Sequence, residues 1–178
     1  MKKISLFLLT FFISACGFRP LYVQHSDDSN WLLGNNADTS ISSEMAQIKI
    51  ATVDNRFGQE LRNHLLDSLT PKGVPQHPKY RLVLKTLSRE VIQQAMRDDV
   101  TATNERINYK IGYQLYDSSS TELLKGESLA VVSYDILSDP FSTTMAQKKA
   151  ETDAAKIIAD DITLRLGSYF HTTLSEAE

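Results

Sequence analysis

The chain has 178 residues, 19 Lys and Arg against 22 Asp and Glu, and a formal net charge of −3. That acidic balance excludes a general nucleic-acid binder, which shows a basic excess, and leaves room for a local basic patch. With a single cysteine, Cys16, the chain forms no internal disulfide, so its stability comes from packing.

Met1-Lys2-Lys3 is a short basic start, and Ile4 to Ile13 is an almost unbroken apolar run. A membrane-spanning helix needs about 20 apolar residues, so the run reads as a secretory signal peptide. Ile13-Ser14-Ala15-Cys16 has the pattern of a bacterial lipobox: a branched apolar residue, two small residues and Cys. The expectation is a signal peptide over residues 1–15, cleavage before Cys16, and acylation that fixes the chain to a membrane by lipid. An ordinary signal peptide followed by a chance Cys is the plain alternative. Gly17, rather than Asp, favours the outer membrane. Removing residues 1–15 takes away Lys2 and Lys3 and no acid. The remaining 163 residues then hold 17 basic against 22 acidic side chains, about −5 in net charge.

Residues 16–43 read as the lipidated N-terminus and a polar tether, dominated from Val23 to Ser43 by Ser, Asp and Asn. Twenty-one flexible residues span on the order of 25 Å. Trp31-Leu32-Leu33 interrupts the tether and has three possible docking places: its own domain, a partner, or the lipid interface.

The single domain expected over residues 44–178 opens with a strand at Gln47 to Val53. Asp54-Asn55 offers N-cap oxygens for a helix over Arg56 to Leu69, where Phe57, Leu61, Leu65 and Leu69 form an apolar stripe. Tyr80 to Met96 and Thr101 to Tyr116 read as long strands joined through Arg97-Asp98-Asp99-Val100. The second alternates strictly, with Ile107, Tyr109, Ile111, Tyr113 and Leu115 on one face. The earlier strand changes phase near Leu87, which predicts a bulge or strong twist. Leu123 to Tyr134 is a further strand, and after Pro140 a long helix runs from about Ser142 to Thr172, with Ala146, Ala150, Ala154, Ile158, Ile162 and Leu166 at four-residue steps. The predicted fold is α+β, with element order β-α-β-β-β-α. A four-stranded, largely antiparallel sheet carries both helices on one face, because only one face alternates as apolar.

Nothing in the chain points to an enzyme. His25, His64, His77 and His171 are scattered singly, with neither a His pair at metal-ligand spacing nor a second Cys, so no metal or cofactor is expected. Asp98-Asp99 and Asp160-Asp161 read as solvated acids. On the helix-free face, Arg81, Lys85 and Arg89 recur every four residues on one strand, as Arg106 and Lys110 do on its neighbour. Residues four apart share a face of a regular strand, so these five predict a basic stripe suited to phosphate groups. They equally suit a solvated face on which Lys and Arg blunt the sheet edges.

The opening Cys16-Gly17-Phe18-Arg19-Pro20-Leu21-Tyr22, the polar tether, the element order and the Ala-rich closing helix with Asp153-Ala154-Ala155 resemble the LPS-assembly lipoprotein family LptE, in its alphaproteobacterial form. The resemblance implies a lipid-anchored plug in the outer-membrane β-barrel LptD, in a 1:1 complex that assists barrel assembly and carries lipopolysaccharide to the surface. It implies lipopolysaccharide binding through basic residues, without fixing which ones; Cys16 carries over as the lipidated residue. The functional alternative is an auxiliary lipoprotein of an ABC-type phospholipid transport system.

Overall fold

The structure, a computed structural model, describes residues 36–96 and 102–176. The expected signal peptide, Cys16, Trp31-Leu32-Leu33 and the Arg97–Val100 connection lie outside the described residues. In chain order the elements are α1 (Asn36–Met45), β1 (Ile48–Ile50), α2 (Arg56–Leu69), β2 (Tyr80–Met96), β3 (Ala102–Asp117), β4 (Glu122–Asp135) and α3 (Pro140–Ser175). The sheet has the order β1-β2-β3-β4. β1 and β2 are parallel, joined by the crossover through α2 that a parallel pair requires, and the other two pairings are antiparallel.

α1 is the one described helix that the sequence does not announce. Its residues fall where a polar tether is expected, because Ser, Thr, Asp and Asn compete with the backbone for hydrogen bonds and favour caps over helix interiors. Packing decides the matter locally. Ile41 and Met45, one turn apart, lie against the core, and the Glu44 carboxylate accepts hydrogen bonds from Lys79 Nζ at 2.7 Å and Tyr80 Oη at 3.0 Å. Among the described residues, α1 therefore packs with the rest of the core.

α2 begins as its sequence dictates. Asn55 is extended, and its Oδ1 accepts from the Gly58 N–H at 2.6 Å, which satisfies one of the donors a helix start leaves open. Gly58, Leu61, Leu65 and Leu69 are buried along one stripe. α3 starts at Pro140 behind an Asp139 cap whose carboxylate accepts from the Phe141 and Ser142 N–H groups. Its buried stripe begins with Ala150, Ala154 and Ala155 and ends with Ile162, Leu166 and Phe170.

Both stripes meet the inward residues of β3, namely Ile107, Tyr109, Ile111, Tyr113 and Leu115, in one core shared with Ile48, Ile50 and Leu82. Full burial of a side chain such as Ile158 or Leu166 contributes about 1.5–3 kcal/mol. Two aromatic contacts lock helices to sheet: Phe57 stacks on Tyr109 with centroids 4.5 Å apart, and Phe170 meets Tyr80 at 5.0 Å.

Candidate functional site

Among the described residues, the helices leave one sheet face open, and β3 defines what stands on it. With its odd-numbered residues from Ile107 to Leu115 turned into the core, Arg106, Asn108, Lys110, Gly112, Gln114 and Tyr116 face the other way. Register then places the neighbours. Ile92 and Ser133 flank Arg106, Glu90 and Val131 flank Asn108, and Ser88 and Leu129 flank Lys110. Further along, Val83 and Lys125 flank Gln114, while Arg81 and Glu122 flank Tyr116.

Four of the five basic residues read from the sequence stand on this face. The Arg81 guanidinium lies 5.1 Å from the centre of the Tyr116 ring. Lys85 lies across Gly112, where an added Cβ would come within 3.3 Å of the Lys85 Cβ. Lys110 pairs with Glu127 at 2.7 Å. Arg106 and Lys85 have no ion-pair partner among the described residues.

Arg89 does not stand with them. The β2–β3 register shifts between Leu84 and Leu87, and the extra residue of that bulge reverses which face every later β2 residue meets. Arg89 consequently opposes Tyr109 on the helix-covered side, donating from Nε to Tyr109 Oη at 3.2 Å with its guanidinium 5.9 Å from the ring centre. That hydrogen bond raises the guanidinium pKa further. Burial pushes the Tyr109 phenol up, partly opposed by Arg89. The phase change near Leu87 is legible in the sequence, but four-residue spacing keeps one face only on a regular strand, and the bulge ends that regularity before Arg89.

The open face also holds groups that the basic spacing does not signal. Leu129 and Val131 are 57 % and 51 % exposed, and Ile92 is 38 % exposed. All three stand directly beside Arg106, Asn108 and Lys110. Lys125 adds a cation, while Glu90, Glu122 and Glu127 interleave negative charge. The signal for the β4 members was the alternation opposite to Ala130, Val132 and Tyr134, which puts Lys125, Glu127, Leu129, Val131 and Ser133 together. The result is an amphipathic surface: cations able to meet phosphate oxygens, set among exposed branched apolar side chains able to meet hydrocarbon. Among the described residues no cluster of His, Cys, Asp and Glu is placed to hold a metal ion, and no helix is long and apolar enough to cross a membrane.

The family model of LptE, described as lipopolysaccharide-assembly, matches residues 20–166. No curated protein sequence matches the chain. Among solved structures, a lipoprotein from Caulobacter crescentus CB15, described there as putative, is similar at 22 % identity and a TM-score of 0.61, covering 74 % of this chain and 96 % of its own. Rare lipoprotein B from Shewanella oneidensis is similar at 12 % identity and a TM-score of 0.55, covering 74 % and 98 %. A minor lipoprotein from Acinetobacter baumannii is similar at 15 % identity and a TM-score of 0.51, covering 68 % and 88 %. At these identities the three structures establish a shared fold.

Proposed function

The chain belongs to the LptE lipopolysaccharide-assembly family, and from that premise we propose that it is an outer-membrane lipoprotein, held by lipid on Cys16, that plugs the LptD barrel in a 1:1 complex and contacts lipopolysaccharide in transit. The family is one of assembly lipoproteins rather than enzymes. The observation that carries the ligand reading is the open sheet face, where Arg106 and Lys110 stand between exposed Ile92, Leu129 and Val131. A phosphorylated glycolipid offers both chemistries such a face can use: phosphates for Arg81, Lys85, Arg106 and Lys110, and acyl chains for the apolar residues.

The barrel reading is supported by the same face in a different way. Transmembrane barrel strands alternate apolar outward and polar inward, so a lumen presents polar walls. A domain whose exposed sheet face mixes Asn108, Ser133 and charged side chains can lodge there without a large continuous apolar patch. Arg89 has no part in the ligand reading, since the bulge turns it to the helix side.

The test is charge reversal at Lys85 and Arg106 together, with folding checked by circular dichroism. Binding to purified lipopolysaccharide weakens at least tenfold if the open face is the site. Unchanged affinity in a folded double variant refutes it.

A further inference from the structure

The two open edges of the sheet are treated differently. β1 covers β2 only from Tyr80 to Leu82. Beyond it the β2 edge is interrupted by the bulge between Leu84 and Leu87 and carries Lys85, Arg89 and Glu90, devices that discourage pairing with another strand. β4 lacks them. From Leu124 to Asp135 its pairing with β3 is regular and free of Pro, and Leu129 and Val131 stand exposed along it.

One bond fixes which β4 groups have no strand partner among the described residues. The Ile136 N–H donates to the Thr103 carbonyl at 2.9 Å, in the register that continues through Asp135 and Asn104. Hydrogen-bonded and non-bonded pairs alternate in an antiparallel ladder. The even-numbered β4 residues therefore bond to β3, and the odd-numbered ones from Lys125 to Asp135 aim N–H and C=O away from the sheet.

We propose that this edge pairs with the β4 edge of a second copy, antiparallel, about a two-fold axis at Ala130, to give a continuous eight-stranded sheet. Self-complementarity selects the second copy and the axis. With the axis at Ala130, Leu129 stands opposite Val131 of the second copy, Lys125 opposite Asp135, and Glu127 opposite Ser133. On the helix side Ala130 meets Ala130, and Gly126 meets Tyr134, small against large. Every position from Leu124 to Ile136 has a counterpart, and the odd-numbered pairs supply the hydrogen bonds.

Neighbouring registers fail on chemistry. An axis at Ser128 sets Lys125 against Val131 and Glu127 against Leu129. An axis at Leu129 sets Glu127 against Val131. An axis at Gly126 does oppose Lys125 to Glu127, but Glu127 is already held by Lys110, and Ser133 and Asp135 then run past the end of the other strand. The pairing is a property of the free lipoprotein, independent of the lipopolysaccharide reading, and a partner that takes up β4 competes with it.

The test uses the full lipidated chain in membranes, with two differently tagged copies co-expressed. Cys16 is the sole native cysteine. Leu129→Cys in one copy and Val131→Cys in the other are expected to give a disulfide joining the two tags, whereas Lys125→Cys with Val131→Cys, which stand opposite only in the wrong register, gives none. Val131→Pro removes a donor that points outward and leaves the β3 ladder intact. In detergent it halves the particle mass with unchanged circular dichroism. If that variant fails to fold, Leu129→Lys with Val131→Lys produces the same dissociation by opposing like charges. Equal disulfide yield in both registers, a dimer that survives these variants, or a wild-type chain that is monomeric at all concentrations overturns the proposal. Disulfides to a different polypeptide with none between copies overturn it too, in favour of a partner strand.

Discussion

Arg89 lies against Tyr109, donating from Nε to the phenol oxygen at 3.2 Å, while Arg106, also basic and on the adjacent strand, faces the opposite side of the sheet. Their roles should separate accordingly. Arg89→Ala removes a hydrogen bond and a cation–ring contact at a largely exposed site, a loss of about 1 kcal/mol. Arg106→Ala, with no such contact among the described residues, costs within about 0.5 kcal/mol. Chemical denaturation measures the first difference. Lipopolysaccharide binding is expected to show the reverse order, weakened by Arg106→Ala and unchanged by Arg89→Ala.

Gly58 poses a contest between two effects of opposite sign. In an exposed helix interior, Gly→Ala stabilises by about 1 kcal/mol through backbone entropy. At Gly58 an added Cβ would lie 2.1 Å from Val53 Cγ1, and overpacking of this kind costs about 1–3 kcal/mol. The clash should win, so Gly58→Ala lowers the melting temperature. Val53→Ala in the same chain removes the obstructing methyl group and recovers part of the loss. Additive losses in the double variant would contradict this.

The attachment of α1 depends on pH. The hydrogen bond from Lys79 holds the Glu44 carboxyl below the ordinary value of 4.5, burial opposes it, and Tyr80 adds to the lowering. Because the folded-state pKa is depressed, the stabilisation is complete above 4.5 and is lost as pH falls through the lower folded value. The Lys79 side is well exposed, so the pair contributes less than about 1 kcal/mol. Hydrogen exchange of the α1 amides should accelerate in acid relative to those of α2, and Glu44→Gln should remove most of that difference.

Lipidation makes a prediction that does not depend on the domain. Cys16→Ser is expected to abolish incorporation of labelled fatty acid and to release the chain from the outer-membrane fraction. Retention of both would show that the Ile13-Ser14-Ala15-Cys16 stretch is not a lipidation signal.

The parts of the fold that rest on a simple period were legible. Phe57, Leu61, Leu65 and Leu69 announce α2, and the strict alternation from Ile107 to Leu115 assigns β3 to a sheet with one covered face. α1 was not legible because its residues favour a helix only once Ile41, Met45 and Glu44 have something to pack against or bond. The site was half legible for a related reason. Arg81, Lys85, Arg106 and Lys110 keep the expected face, whereas Arg89 lies beyond a bulge whose position a spacing rule does not see. Leu129 and Val131 alternate with Ala130, Val132 and Tyr134, but both sets are apolar, and only the register with β3 shows which one is covered.

Whether the open sheet face meets lipopolysaccharide is decided by photocrosslinking in living cells. A photoreactive residue at position 106 is compared with one at position 164, since Leu164 is exposed on α3, away from the proposed site. Glycolipid adducts are expected at 106 and none at 164. Adducts at 164 with none at 106 would contradict this.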